Sequence, residues 1–477
     1  MDENLKAVYQ AENFKTLGYK LIDLLSNHLT EAQHENIPVM NWHEPAAQLE
    51  FWKHYQLKEN NPIKLFEDIL ERSIHIHHPK YIGHQVCPPA PVTALASLFG
   101  ALLNNGMAIY EMGGASTAIE KVVVDLLAQK VGYQEGDGFI TSGGTLGNLT
   151  ALLAARQVAG KANIWENGLH HQLGVMVSGE AHYSVDRALR VMGFGAKGII
   201  KIPVGENYTM RTELLEAYFE KAKNEAIQVI GVVGSAPSTS TGMFDDLEAI
   251  ARFCISKKIW FHVDAAHGGG AVFSEKYKHL LKGIEKADSV VIDGHKMLMM
   301  PGIMTFVLFR NKNHSYATFS QKAQYLLSKT DEEEWYNLAL RSMECTKLMM
   351  SVKFYSILQV HGEQVLETNV DGLFDLGMEF AARIKQRKNF ELALEPHSNI
   401  VCFRYVEDGA SDAQLNDLNS KIRHQLLVKG EFYIVQTKLN ESVYMRSTLM
   451  NPFTTPKTLN NLLDAIERIA REELHNI

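Results

Sequence analysis

The most informative segment of the chain is Asp288-Ser289-Val290-Val291-Ile292-Asp293-Gly294-His295-Lys296-Met297. Its run of β-branched apolar residues predicts a strand that is buried on both faces, as in a parallel sheet covered by helices. Lys296 follows directly after that strand. Open α/β sheets bind their ligands outside the carboxyl ends of their strands, so this lysine is a candidate for chemistry. Because most lysines are solvated surface cations, a second observation is needed to set it apart.

That observation lies about thirty residues upstream, in Ile259-Trp260-Phe261-His262-Val263-Asp264-Ala265-Ala266-His267-Gly268-Gly269-Gly270. This segment also predicts a buried strand, and it ends in the carboxylate of Asp264. The alanines and glycines that follow leave room for a flat ligand. Two neighbouring strand ends therefore offer an amine and an acid, while His262 and His267 are interpreted as structural.

An amine and a buried carboxylate are the two groups that pyridoxal phosphate requires. The amine attaches to the cofactor aldehyde, and the carboxylate keeps the pyridine nitrogen protonated so that the ring can take up electrons. The sequences of the two segments, His262–Ala266 and Asp293–Lys296, resemble the signature of the group II pyridoxal-phosphate-dependent amino acid decarboxylases. That family includes enzymes acting on glutamate, aromatic amino acids, cysteine sulfinate and 2,4-diaminobutyrate. The resemblance covers nearly the whole chain, from around Leu65 to Asn451.

The resemblance implies a role for each residue at the two strand ends. Lys296 carries the cofactor, Asp264 pairs with the pyridine nitrogen, and Ala266 is the small residue beneath the ring. His182, in Gly179-Glu180-Ala181-His182-Tyr183, matches the histidine that stacks on the ring and can relay protons. His295 is expected to contact the phosphate or orient the lysine.

A glycine-rich turn is the predicted phosphate site. The run Thr141-Ser142-Gly143-Gly144-Thr145-Leu146-Gly147-Asn148-Leu149 follows a strand and opens a helix, where free amides and the helix dipole favour an anion. By position in the family pattern, Gly144 and Thr145 hold the phosphate and Thr239 contacts the cofactor or its neighbours. Asp293 stands where aromatic decarboxylases have a phosphate-contacting asparagine. An aspartate there repels phosphate, which puts that contact in question.

Three further residues are assigned by resemblance to parts of the reaction. Tyr336, in a charged segment between Leu326 and Met343, matches the mobile-loop tyrosine that protonates the substrate carbon. Arg446 matches the arginine that holds the substrate carboxylate, a task suited to its bidentate fork. His84 aligns with a glutamine that reads the distal carboxylate in glutamate decarboxylases, which weakens glutamate as the substrate. Aromatic, diamino and sulfinate substrates stay open.

The length and pattern of the chain predict a large α/β enzyme. Its 477 residues allow more than one sizeable core. Alternating strands and helices over residues 78–346 predict a cofactor-binding domain with a mostly parallel sheet, preceded by a helical segment at 1–77 and followed by a small α+β domain at 347–477. By resemblance, this is the fold type I architecture with seven strands in the large domain. The helical segment then packs on a partner subunit and makes a homodimer.

Composition and charge narrow the expected partners and compartment. A net charge of −8 gives no reason to expect nucleic acid or an anionic membrane. The N-terminus has no signal-peptide pattern, and the four cysteines are scattered without metal spacing, as expected for core thiols in a reducing cytoplasm. Besides an amino acid decarboxylase, two alternatives stay open: an aminotransferase or carbon–carbon lyase on the same scaffold, and a non-enzymatic cofactor-binding relative.

Overall fold

The computed structural model describes residues 2–57, 61–160, 164–316, 319 and 334–475. The strands run, in chain order, β1 Asp137–Thr141, β2 Leu173–Ser178, β3 Ile199–Ile202, β4 Gln228–Ser235, β5 Trp260–Asp264, β6 Ser289–Asp293, β7 Thr305–Phe309, β8 Phe390–Leu392, β9 Ile400–Tyr405, β10 Val435–Leu439 and β11 Ser442–Thr448. The helices are α1 Glu3–Val8, α2 Ala11–Gln33, α3 Pro45–Lys53, α4 Pro62–Glu71, α5 Pro91–Leu103, α6 Tyr110–Val131, α7 Gly144–Ala159, α8 Ile164–Asn167, α9 Tyr183–Val191, α10 Leu215–Asn224, α11 Leu247–Lys257, α12 Asn313–Tyr316, α13 Met350–His361, α14 Gln364–Lys385, α15 Asp412–Val428 and α16 Pro456–His475.

Seven strands of the described chain form one mixed sheet, in the order β1-β7-β6-β5-β4-β2-β3. The strands β3, β2, β4, β5 and β6 run parallel to one another, and β7 runs antiparallel to both β6 and β1. The carboxyl ends of β1, β2, β4, β5 and β6 therefore meet at one edge of the sheet. This arrangement confirms the predicted α/β, fold type I class.

The central strands are buried along their whole length, which explains why they read as continuous apolar runs. Every residue of β5 and β6 is buried, and α7 and α11 pack against these strands or their neighbours. Gly147 on α7 shows how close that packing is, because a Cβ built there lies 3.1 Å from Val291 on β6. Burial on both faces removes the polar alternation that a one-sided sheet requires.

The chain folds into two compact units. One unit comprises residues 85–378 and 396–400 and contains the seven-stranded sheet; the other comprises 1–84, 379–395 and 401–477. A second sheet, in the order β10-β11-β9-β8, belongs chiefly to the latter unit. The predicted division is 1–77, 78–346 and 347–477. In the structure, the N-terminal residues 1–84 share a unit with most of the C-terminal residues, and the large unit extends to residue 378. The three predicted ranges stay a prediction about independently folding domains.

All seven predicted strands of the large sheet are present, and the deviations concern ends and short elements. For the small domain the sequence predicts strands at 400–405, 431–436 and 442–447. The second of these begins only at Val435, and the three-residue β8 escaped prediction because it is too short for a periodic signal. Cys87, Cys254 and Cys402 are buried free thiols as expected, whereas Cys345 is exposed. Within the described ranges, no helix is both long and apolar enough to cross a bilayer.

Candidate active site

A cavity of about 300 Å³ lies at the carboxyl edge of the large sheet, within the unit that contains residues 85–378. Its walls come from segments that follow different strands, so residues far apart in sequence share one space. Among the predicted site residues, the lining includes Gly144, Thr145, His182, Thr239, Asp264, Ala266, His295 and Lys296. The sheet topology thus gathers the predicted amine, acid, phosphate turn and ring-stacking histidine at one site.

Lys296 lies in the turn that follows β6 and is held by a carboxylate of the same turn. Its Nζ is 3.2 Å from Oδ2 of Asp293, and its side chain is 15% exposed, against 3% for Asp293. The same Oδ2 is 3.7 Å from His295 Nε2. Thr305 on β7 donates its hydroxyl to Oδ1 of Asp293. The lysine is therefore ordered by one ion pair yet still faces open space.

Asp264, the last residue of β5, receives a hydrogen bond on each oxygen. Asn148 Nδ2 donates to Oδ2 at 2.9 Å, and the backbone N–H of Ala266 donates to Oδ1 at 3.2 Å. Both partners are donors, which suits an ionised carboxylate in a buried place. Such a carboxylate can hold a protonated heterocyclic nitrogen.

The first turn of α7 forms the glycine-rich wall. Gly143 precedes this 16-residue helix at φ 95° and has no side chain that could accept from the first amides of the helix. A Cβ at Gly144 would lie 3.1 Å from Asp293 Oδ1 and 3.4 Å from the Ala266 Cβ. A side chain at position 144 would therefore make tight contacts with both groups, and the Asp293 carboxylate lies directly beside the predicted phosphate turn.

His182 is the residue that precedes α9, and its ring is fixed by the start of that helix. Its Nδ1 is 2.7 Å from Ser184 Oγ and also accepts from the Ser184 backbone N–H at 3.3 Å. The pKa of His182 is lowered from its ordinary value, chiefly because the ring is desolvated by burial, while the nearby Asp264 opposes this shift. A neutral imidazole next to the acid and the amine can exchange a proton with a bound ligand.

Three predicted residues are not part of this lining. Tyr336 is at 5.7 Å, ring to ring, from Tyr110, and the preceding residues 320–333 of its charged segment lie outside the described residues. Arg446 and His84 belong to the other compact unit, where Arg446 and Arg423 add to burial in lowering the pKa of His84. The positive charges of Arg446 and Arg423 therefore act on His84 within that unit.

The cavity also contains residues that the sequence interpretation passed over or considered structural. Asn148, Ser184, Ser238 and His267 all line it, and His267 Nε2 is 2.8 Å from Asn399 Oδ1. Asn148 lies in the glycine-rich run, one helical turn past Gly144, on the side of α7 that faces β5. Helical spacing from the glycine is the signal that could have identified it.

Comparison with known proteins gives a consistent result. The model of the pyridoxal-dependent decarboxylase conserved domain matches residues 59–406. An L-2,4-diaminobutyrate decarboxylase from Acinetobacter baumannii is 30% identical over 418 residues, covering 84% of this chain and 81% of the relative. An aromatic-L-amino-acid decarboxylase from Bacillus atrophaeus is 27% identical over 492 residues, covering 99% and 98%.

Solved structures show the same architecture. A crystal structure of mouse CSAD superposes with a TM-score of 0.88 at 24% identity, covering 96% of this chain and 99% of that one, which shows the fold alone. The glutamate decarboxylase domain of a diaminobutyrate-pyruvate transaminase and L-2,4-diaminobutyrate decarboxylase from Vibrio parahaemolyticus gives 0.82 at 27% identity, covering 94% and 96%.

Proposed function

Because this chain belongs to the pyridoxal-dependent decarboxylase family, we propose a specific role for each group that lines its cavity. The chain is a pyridoxal-phosphate-dependent carboxy-lyase that decarboxylates an amino acid. The comparisons give no support to an aminotransferase or a carbon–carbon lyase. The observation that carries the proposal is that Lys296, Asp264 and the start of α7 line one cavity.

The residues present fit pyridoxal phosphate. The amine of Lys296 is available for attachment of the cofactor aldehyde, and Asp264 accepts a proton-bearing ring nitrogen. Ala266 leaves a flat surface, and a Cβ at Gly144 would fill the space beside it. When bound, the cofactor supplies an electron sink for the electrons released on loss of carbon dioxide.

We assign phosphate binding to the first turn of α7. The uncapped amides at Gly144 and Thr145 offer donors and the positive end of the helix dipole. Asp293 repels an anion at this place, but its charge is offset by Lys296 at 3.2 Å and by the hydroxyl of Thr305. Asp293 therefore acts by holding the lysine, while His295 and Thr239 complete the wall.

Proton transfer is assigned to His182 and Tyr336. His182 lines the cavity beside Asp264 and Lys296, so its ring covers the cofactor face and exchanges a proton near the substrate carbon. Tyr336 lies outside the lining of its own chain's cavity. Its role as the group that returns a proton to carbon therefore requires movement of the segment around 334–337 or the cavity of a second subunit.

Substrate binding is assigned to Arg446, which holds the substrate carboxylate, and to His84. Arg446 is buried on β11, and burial lowers the pKa of its guanidinium. Its positive charge and that of Arg423 are close enough to act on His84, so an anionic group is favoured here. A guanidinium binds a carboxylate in a bidentate manner, which fixes the orientation of the substrate.

We further propose that the protein is a cytoplasmic homodimer whose active sites lie near the subunit interface. The apolar side chains of α5 support an interface, because Leu98, Phe99 and Leu102 are 45%, 55% and 64% exposed in the single chain. Buried free thiols suit a reducing compartment. Analytical ultracentrifugation at several protein concentrations measures the mass of the assembly, and we expect the mass of two chains. Replacing Phe99 and Leu102 by glutamate should yield monomers.

The function is tested by supplying the purified, cofactor-loaded protein with single amino acids. The set contains 2,4-diaminobutyrate, aspartate, glutamate, cysteine sulfinate and the aromatic amino acids, and both carbon dioxide and the amine are measured. We expect carbon dioxide and the amine to be released in equal amounts, and only from amino acids of one chemical class. Arg446→Lys retains charge but loses the bidentate fork, so it should raise KM by roughly tenfold or more. Release of an oxo acid without carbon dioxide would overturn the proposal.

A further inference from the structure

A chain of buried hydrogen bonds runs along one face of β5 toward the cavity. Trp260, His262 and Asp264 alternate along this strand and therefore point to the same side of the sheet. Trp260 Nε1 donates to Ser289 Oγ at 2.9 Å, and the same oxygen is 2.8 Å from His262 Nδ1. His262 Nε2 is 2.9 Å from Asn148 Oδ1. All of these side chains are at most 3% exposed, apart from Asp264 at 8%.

The chemistry of these groups gives the chain a direction. The Ser289 oxygen accepts from Trp260, because an indole N–H can only donate, and Asp264 Oδ2 accepts from Asn148 Nδ2, which leaves the Asn148 carbonyl oxygen facing His262 Nε2. Burial lowers the pKa of His262 to about 4, so its ring is neutral at pH 7. The Asn148 oxygen can only accept, so the ring proton is on Nε2, and Nδ1 accepts the hydroxyl hydrogen of Ser289.

The direction fixes what Asn148 offers at the cavity. Because its carbonyl is held by His262, its amide nitrogen points the other way, donating to Asp264 Oδ2 at 2.9 Å and to Ser184 Oγ at 3.0 Å. Ser184 in turn passes its hydroxyl hydrogen to His182 Nδ1 at 2.7 Å. One amide thus branches to both the acid and the ring-stacking histidine.

We propose that His262 and Asn148 are positioning residues of the active site: a one-way hydrogen-bond relay from Trp260 and Ser289 presents donors to Asp264 and Ser184. Asp264 then receives hydrogen bonds from the Asn148 amide and the Ala266 N–H, and the Ser184 hydroxyl hydrogen keeps His182 in the Nε2–H form. The reverse orientation of the Asn148 amide would place its oxygen against the Asp264 carboxylate, which repels it. The proposal rests on the proposed function, since Asp264 and His182 have their roles there.

The first experiment measures the relay in the full-length protein without cofactor. Long-range proton–nitrogen spectra of 15N-histidine-labelled protein distinguish the two neutral tautomers, and the loss of a signal in His262→Phe assigns His262. We expect the Nε2–H tautomer for His262 in the wild type. Ser289→Ala removes the hydroxyl that donates to Nδ1, so a mixture of tautomers should appear. Ser289→Thr retains the hydroxyl and should restore the single form.

The second experiment measures the dissociation constant of pyridoxal phosphate through the visible absorption of the bound cofactor. Asn148→Leu removes a hydrogen bond to a charged group and should weaken binding about 10- to 100-fold. Ser289→Ala acts two bonds away, on neutral groups, and should weaken it about two- to tenfold, with recovery in Ser289→Thr. Ser351→Ala is the matched control, because this buried hydroxyl donates to the Ser116 carbonyl outside the relay.

The outcomes separate the relay from a general packing effect and from the proposed function. An unchanged His262 tautomer in Ser289→Ala, or wild-type cofactor affinity in Asn148→Leu, overturns the relay. Equal weakening in Ser289→Ala and Ser351→Ala at matched thermal stability overturns it too. If the wild type binds cofactor but releases no carbon dioxide from any amino acid, the proposed function fails while the tautomer result still stands.

Discussion

Two lysine–carboxylate pairs in this molecule have opposite surroundings. Lys347 and Glu120 are 1% and 2% exposed, and their atoms are in direct hydrogen-bond contact. Lys347 also donates to the carbonyl of Ile140, whose N–H donates to Glu120 at 2.9 Å. At the cavity, Lys296 is 3.2 Å from Asp293 and 15% exposed. The first pair is fully enclosed, whereas the second faces space that a ligand can enter.

The difference follows from what each pair satisfies. Strand β1 lies at the end of the large sheet and pairs only with β7, so its outer N–H and C=O groups need partners. Glu120 and Lys347 supply them at Ile140. Burial lowers the pKa of Lys347, and Glu120 opposes that shift. Lys296 pairs with the Asp293 side chain and, among the described residues, donates to no backbone carbonyl, so its amine remains available for chemistry. A buried lysine is a reactive candidate only where it has an open side.

The comparison is tested most severely by Lys296→Ala. Because the attachment point of the cofactor is lost, amine release should fall by about 1,000-fold or more. The visible band of the bound cofactor should also disappear. A Lys347→Arg variant, measured per folded molecule, should retain both signals. If Lys296→Ala kept the band and Lys347→Arg lost it, the reactive amine would be the enclosed one.

Lys347→Met should produce the largest loss of stability. It leaves the Glu120 charge buried without its cation, so the free energy of unfolding should fall by about 3–5 kcal/mol. Denaturant titration of the cofactor-free protein measures this loss. The double variant Lys347→Met with Glu120→Gln removes the stranded charge and should recover part of it. A double variant less stable than the single one would refute the charge argument.

A buried neutral group near the site should make stability depend on pH. The folded pKa of His262 is about 4, against 6.5 when exposed, so below pH 6.5 the unfolded chain binds a proton that the folded chain does not. Stability present above pH 6.5 is therefore lost as the pH falls toward 4, by about 3 kcal/mol. His262→Phe should lack this component in a pH series of unfolding curves. Parallel curves for the two proteins would contradict it.

The smallest expected effect is that of Lys296→Met on stability. Asp293 retains the hydroxyl of Thr305 and gains access to solvent through the cavity, so the unfolding free energy of the cofactor-free protein should change by about 1 kcal/mol. Calorimetry on this variant and on Lys347→Met compares the two lysines directly. A loss as large as that of Lys347→Met would show that Lys296 is a structural group.

Much of the large unit could be predicted from the sequence because its strands are buried on both faces. The seven apolar runs are distinct from the helical patterns between them, and the small residues that follow β5 predict the close approach of a ligand. Short or partly exposed strands carry no such signal, which is why β8 was missed and β10 begins later than predicted. The roles of Tyr336, Arg446 and His84 depend on contacts that no local pattern encodes.

The sequence by itself determined the family and predicted the amine, the acid and the phosphate turn, since these are short motifs at strand ends whose residue types the chemistry requires. Only the tertiary structure decided which buried polar groups support them. Asn148, His262, Ser184 and Ser289 come from α7, β5, α9 and β6, and apart from the helical spacing of Asn148 from Gly144 their own neighbourhoods do not show that they share a network. Their hydrogen bonds exist because the sheet register sets His262 opposite Ser289 and α7 crosses above both.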